Sequence, residues 1–294
     1  SHRGTPGGEV VAYAIQADGT LREQNRLPTQ GGGPCHVSVD PSGGSLLVAN
    51  YGGGSCISFP ILPTGGLGAA GSFHQHEGSS IHPKRQTAPH AHAILPDPQG
   101  HQAFVPDLGM DRILIYELDG GLGSLTPGEA LFASAPAGSG PRHIAFHPNE
   151  PYAFVNYEMT SEVATYRYDS ETGELTPLEV VSTLPSSFEG RNSTAEILVS
   201  PDGRQVYVSN RGHHTIAIFS WDSDKEQLVA MGHSSSGGEV PRNFGIHPDG
   251  TFLVSANQRS GNVVSYLRRE DGSLKDTGQE AKISSPVCVR FHVR

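Results

Sequence analysis

An all-β fold, a β-propeller of four-stranded antiparallel blades, is what this sequence predicts, and three observations carry the prediction. Short alternations of apolar and polar residues fill the chain, with few periodic segments of helix length. The 37 glycines and 22 prolines are spread along all 294 residues, which marks many turns and not a disordered tail. One unit also recurs: an apolar alternation, a Pro-Asx-Gly-like turn, and a second strand ending near Asn.

The copies of that unit read CHVSVDPSGGSLLVANY, HAILPDPQGHQAFVPDL, RHIAFHPNEPYAFVNYE, AEILVSPDGRQVYVSNR and RNFGIHPDGTFLVSANQ. They align on Pro41, Pro98, Pro148, Pro201 and Pro248, at intervals of 57, 50, 53 and 47 residues. A further strand pair follows each hairpin, as in 163–179 and 215–231. Each repeat therefore holds about four strands in about 50 residues, the size of a propeller blade. A long sandwich array seldom keeps such even spacing. At the ends, 9–28 resembles the outer strand pair of a blade and 285–293 an innermost strand. Together they are expected to close the ring and remove its free edges. The whole chain, 1–294, reads as one propeller domain. Five complete units and one composite are visible, so either the ring has six blades or a larger ring has lost its first part.

Twenty Lys and Arg against 30 Asp and Glu leave a net charge of −10, which argues against a nucleic-acid partner. No apolar run approaches the roughly 18 residues of a membrane span, so no membrane partner is expected. The polar start shows no signal peptide. Cys35, Cys56 and Cys288 make neither a disulfide framework nor a zinc motif, and a reducing, cytoplasmic setting follows as the simplest expectation. The chain is expected to act as a monomer.

Repeats provide their own control. Positions that only hold the fold look alike in every copy, and positions that differ are candidates for function. In a propeller, the start of each innermost strand and the end of the next strand are antiparallel neighbours and share one rim. The first set is Cys35–His36, His92–Ala93, Arg142–His143, Ala195–Glu196 and Arg242–Asn243. The second is Asn50–Tyr51, Asp107–Leu108, Asn156–Tyr157–Glu158, Asn210–Arg211 and Asn257–Gln258–Arg259. The recurring Asn residues suit turns. Arg142 and Glu158 meet at the open end of one hairpin, where the bland alternative is a surface ion pair worth about 0–1 kcal/mol. Against it stands the convergence of Arg142, Arg211, Arg242 and Arg259 in an acidic chain, which suits an anionic ligand.

Fifteen histidines add a second theme. His74, His76 and His82 fall in a Gly/Ser-rich connection and not in the aligned strand, so no metal site is predicted. His92 fills the slot that Arg142 and Arg242 hold in their repeats, and an imidazole there can act as general base. His90 lies two residues away and shares that claim. His36, His143 and His147 read as satisfied polar groups, and His213 and His214 follow Arg211 towards the same rim.

The stretch GSGPRHIAFHPNEPYAFVNYEMTSEVATYRY (138–168) resembles the signature of the seven-bladed propeller lactonases, which include bacterial 6-phosphogluconolactonases and fungal carboxy-muconate cyclases. Segments 89–118, 193–221 and 240–266 resemble the same family, and the likeness covers nearly all of 30–292. GPRHxxFHP with a following Glu is the specific part. The resemblance implies a catalytic group of one His, two Arg and one Glu, which falls on His92 or His90, Arg142, Arg211 and Glu158. It also implies seven blades, and hence a chain shortened at its N-terminus.

Lactone hydrolysis needs an activated water, donors for the tetrahedral oxyanion and an anchor for the substrate's charged end. His92 or Glu158 is expected to take the proton, Arg142 or Arg211 to stabilise the oxyanion, and Arg242 and Arg259 to hold a phosphate or carboxylate. His90 and His143 are placed as substrate contacts. The expected substrate is a small anionic lactone, most simply 6-phosphogluconolactone. No cofactor is required, and the absence of a G-x-S-x-G elbow argues against a serine nucleophile. Rival readings are a muconate cyclase or other lactonase, a metal-dependent propeller lactonase, and a non-catalytic interaction propeller.

Overall fold

The computed structural model describes residues 7–292. Among them every regular element is a strand. A two-stranded sheet pairs β1 (Glu9–Ile15) with β2 (Leu21–Pro28). Five four-stranded sheets follow. They are β3 (Pro34–Val39) to β6 (Ser72–Gln75) by way of β4 (Ser45–Asn50) and β5 (Ser55–Pro60), and β7 (Leu95–Pro96) to β10 (Ser124–Ser134) by way of β8 (Gln102–Asp107) and β9 (Arg112–Asp119). Next come β11 (Pro141–Phe146), β12 (Tyr152–Tyr157), β13 (Glu162–Tyr168) and β14 (Leu175–Ser182), then β15 (Thr194–Val199), β16 (Gln205–Asn210), β17 (Thr215–Asp222) and β18 (Gln227–Ser235). The last holds β19 (Pro241–Ile246), β20 (Phe252–Asn257), β21 (Asn262–Arg268) and β22 (Leu274–Lys282). In each sheet the strands neighbour one another in chain order, the meander expected from the repeats.

The turn residues explain the hairpins. Asp97 Oδ1 accepts the His101 and Gln102 amides at 2.7 and 2.8 Å, and Asp40 Oδ1 accepts from Ser45 in the equivalent turn. Gly43, Gly100, Gly203 and Gly250 hold φ of +74° to +77° two residues past the aligned proline, a region that glycine enters without steric cost. In the Pro148 repeat a histidine performs the turn instead: His147 Nδ1 accepts the Asn149 and Glu150 amides at 3.3 and 2.9 Å.

Two compact units make up the chain: Ser1–Ile144 with Tyr168–Leu175, and Ala145–Arg167 with Thr176–Arg294. In the first, Leu47, Cys56, Ile94, Val105 and Tyr116 form a core between the β3–β6 and β7–β10 sheets, while Val10, Val48, Ile57 and Phe59 form a second core against β1 and β2. In the second, Phe154, Val163, Ile197, Val208 and Phe219 pack together, as do Tyr207, Ile218, Phe244, Leu253 and Tyr266. Central strands buried on both faces, such as β8, β12 and β16, read as continuous apolar runs for this reason.

One expectation fails. Segment 285–292 is not a strand, and residue 293 lies outside the described residues. The Val289 amide donates instead to Asn243 Oδ1 at 2.7 Å, so its backbone is satisfied without a ladder. The 9–28 pair forms as expected.

Candidate functional site

The repeat hairpins share a distortion that shapes their tips. In β3–β4, Pro34 faces Asn50 and His36 faces Ala49, so Cys35 is an extra residue. In β19–β20, Pro241 faces Asn257 and Asn243 faces Ala256, so Arg242 is extra. One residue is also extra between Thr194 and Ile197, and another between the Ala91–Asp107 bridge and the Leu95–Phe104 pair. Such bulges re-aim side chains at the rim of a sheet. They occur where the sequence departs most from its own pattern, and His92, Arg142 and Arg242 share this position of the repeat.

In the first unit three imidazoles cluster, with His143 at the centre and bonded to a guanidinium. The His143 ring lies 5.2 Å from His36 and 5.3 Å from His92, centroid to centroid. Arg142 Nη1 is 3.0 Å from His143 Nε2. Arginine offers only donors, so this His143 nitrogen is the acceptor and its ring proton sits on Nδ1. Arg142, His92 and His143 are all buried, which removes the reading of Arg142 as a surface charge. Tyr51 stacks on His90 at 4.6 Å and meets His92 edge-on at 5.2 Å. Its hydroxyl accepts from Arg85 Nη2 at 3.3 Å. His90 Nδ1 lies 2.9 Å from the Tyr51 carbonyl and donates to it. Cys35 Sγ donates to the His92 carbonyl at 3.2 Å.

Two aspartates hold this cluster's backbone. Asp107 accepts the His90 amide at 2.7 Å and the Gly109 amide at 3.0 Å. Asp111 accepts the Gly138 and Gly140 amides at 2.6 and 2.7 Å, fixing the loop that leads into Arg142. Sequence reasoning placed Asp107 on the rim without a role and passed over Asp111 and Arg85. The signal for Asp107 was present, since the other repeats carry Asn at its position.

In the second unit Glu158 pairs with Arg211, Oε2 to Nη2 at 2.9 Å, with side chains only 7% and 12% exposed. The same Nη2 donates to the Thr194 carbonyl at 2.7 Å, and Arg211 Nε is buried without a partner among the described residues. The Glu196 carboxylate accepts from the Asn243 amide. Arg242 is half-buried beside Asn243 on β19. Arg259 pairs with Glu239 at 3.3 Å, with its side chain 75% exposed, in contrast to the shielded Arg211.

The remaining histidines divide. His147 is a turn residue with Nε2 on the Gly203 carbonyl at 3.1 Å, and burial holds its imidazole below the ordinary histidine range. His213 bonds Thr215 Oγ1 at 2.7 Å against the rings of Phe188 and His233, and burial followed by the His233 and His214 neighbours lowers it too. His74 belongs to strand β6, not to an irregular connection, and His76 is fully buried against Asp107. No group of three or more His, Cys, Asp or Glu suited to a metal occurs among the described residues. No helix there is long and apolar enough to cross a membrane.

The family model for the lactonases with a seven-bladed β-propeller matches residues 1–291. The chain belongs to that family. It is 38% identical over 286 residues to a 6-phosphogluconolactonase of Bacillus subtilis, covering 97% of this chain and 80% of that protein. To a 6-phosphogluconolactonase of Serratia proteamaculans it is 34% identical, covering 97% and 82%. The crystal structure of a periplasmic gluconolactonase of Pseudomonas aeruginosa superposes with a TM-score of 0.91 at 29% identity, covering 99% of this chain and 82% of that one. The propeller blades of this lactonase family are the meandering sheets described above, and the specific GPRHxxFHP stretch is the strand that carries Arg142 and His143.

Proposed function

We propose that this member of the lactonase family hydrolyses a sugar-acid lactone, 6-phosphogluconolactone first, to the open acid. The observation that carries the reading is the buried Arg142 guanidinium bonded to His143, with the His92 ring packed on His143. A fixed cation beside neutral imidazoles supplies the two things that ester hydrolysis by water needs. His92 takes a proton from the attacking water, and Arg142 stabilises the oxygen that becomes negative in the tetrahedral intermediate. His90, held through Nδ1 on the Tyr51 carbonyl, is left with Nε2 to hydrogen-bond a sugar hydroxyl. In the second unit the shielded Glu158–Arg211 pair is the matching catalytic candidate, and the half-buried Arg242 is the candidate anchor for the substrate's charge.

The names of the relatives support a lactone and point to a phosphorylated one. A panel of 6-phosphogluconolactone, gluconolactone and unsubstituted lactones, followed by base uptake at constant pH, tests this. The phosphorylated lactone is expected to show the highest kcat/KM. Rates equal to spontaneous hydrolysis across the panel would refute the proposal.

A further inference from the structure

We propose that His76 and Asp107 are positioning residues, which hold the 88–92 segment in place and with it His90 and His92. The proposal rests on the hydrolase reading above for its catalytic consequence. Its structural content stands separately.

The repeat supplies the argument. At the end of the second strand, three other repeats carry a neutral amide that donates to the main chain just past an outer strand. Asn50 Nδ2 reaches the Thr29 carbonyl at 3.2 Å, Asn210 the Thr183 carbonyl at 2.9 Å and Asn257 the Ser236 carbonyl at 2.8 Å. The fold needs nothing more at this place. One repeat replaces both members: Asp107 stands for the Asn, and His76 stands for the Thr or Ser. Their side chains touch, Nδ1 to Oδ2 at 2.7 Å, with no exposure of either. A buried carboxylate is dearer to desolvate than an amide, so the exchange is not explained by folding alone.

What the exchange gains is visible in the carboxylate's other contacts. Asp107 Oδ1 accepts the His90 amide at 2.7 Å and the Gly109 amide at 3.0 Å, so three N–H groups converge on one side chain. Gly109 itself packs so closely on the segment that a Cβ there would lie 2.0 Å from the Ala88 carbonyl oxygen. His76 Nε2 is buried without a partner among the described residues. Its Nδ1 is the nitrogen that faces the carboxylate. His76 thus acts on the segment only through Asp107. The His90 ring is then clamped from the far side by Tyr51, which also touches His92.

The test is the double variant His76→Thr/Asp107→Asn, which writes the neighbouring repeats' residues into this one. The melting temperature is expected to stay near the parent's. On 6-phosphogluconolactone, kcat is expected to fall about tenfold or more with KM within about threefold, because misplacement of a reacting group acts on the transition state. Exchange of the His90 amide, followed by NMR, is expected to quicken about fivefold, since a charge-assisted bond is roughly twice as strong as a neutral one. His76→Gln keeps a donor to Asp107 and is expected to restore most of kcat. Parental kcat in a folded double variant, or unchanged His90 exchange, would overturn the proposal. So would loss of the cooperative melt, which would make the His76–Asp107 pair a requirement of folding. A parent without lactonase activity would sink the hydrolase reading alone, and the amide exchange would still decide the positioning claim.

Discussion

Neutralising Glu158 should cost both stability and catalysis, and the structure fixes how much. Its carboxylate meets Arg211 at 2.9 Å with both side chains close to fully shielded. Charge centres about 4 Å apart attract by about 4 kcal/mol at an effective dielectric of about 20. Removing one partner of such a pair leaves the other charge buried and typically costs about 3–5 kcal/mol. Glu158→Gln keeps the shape and one acceptor oxygen, so about 3 kcal/mol is expected, or roughly 6–12 °C in Tm for a chain of this size. Arg211→Gln should cost a similar amount, because it takes a cation from the buried carboxylate and leaves the Thr194 carbonyl with one donor fewer. The double variant contains no stranded charge. It should therefore be more stable than the sum of the singles predicts, by about 2 kcal/mol. Urea melts of the four proteins at pH 7 measure the cycle. Additivity within about 0.5 kcal/mol would refute the account of this pair as a coupled, shielded unit. Each single variant should also lower kcat by at least about tenfold, measured at a temperature where all four remain folded.

Three further outcomes follow from other parts of the molecule. Burial raises the Asp202 carboxyl, but bonds from Ser200, Arg268 and the Arg204 amide outweigh it and hold its pKa at about 2. A depressed acid stabilises the fold above its unfolded pKa and loses that contribution as pH falls. The stability gap between parent and Asp202→Asn should therefore be present at neutral pH and close between about pH 4 and pH 2; with the carboxylate 39% exposed, screening limits it to about 1 kcal/mol. His147 is disfavoured from protonation in the fold by burial, so the native state should lose stability as pH falls below about 6.5, and His147→Gln should remove that part of the pH dependence in thermal melts. His92→Ala should abolish most of kcat, whereas His90→Ala should act more on KM; equal effects on kcat from both would show that the two imidazoles share one chemical role.

Much of this was legible in the sequence because a repeat is a strong signal. The aligned proline turns located the first hairpin of each four-stranded sheet, and the strand pairs at 163–179 and 215–231 fell where the structure has β13 with β14 and β17 with β18. The bulges were not legible, since they arise from one extra residue in a ladder and leave no composition of their own. His74 was misread because its strand is four residues long and sits among glycines and serines. Segment 285–292 has the alternation of a strand, but a side chain, Asn243, takes the bond that a ladder needs. Arg259 looks like its counterparts in register, yet it is exposed and paired with Glu239 where Arg211 is shielded, and nothing in the repeat distinguishes the two settings. Asp107 was the opposite case. Its departure from Asn was in plain view, but its meaning needed the buried His76, 31 residues earlier in the chain.

The most direct test of the central claim compares the parent with Arg142→Ala on 6-phosphogluconolactone, with Tm recorded for both. The guanidinium is buried and bonded to His143, so truncation should cost about 1–3 kcal/mol through the acceptor it leaves unpaired. If Arg142 stabilises the developing oxyanion, kcat should fall by about 10²–10³ in a variant that still melts cooperatively. A folded Arg142→Ala protein that turns over the lactone at the parent rate would contradict the account.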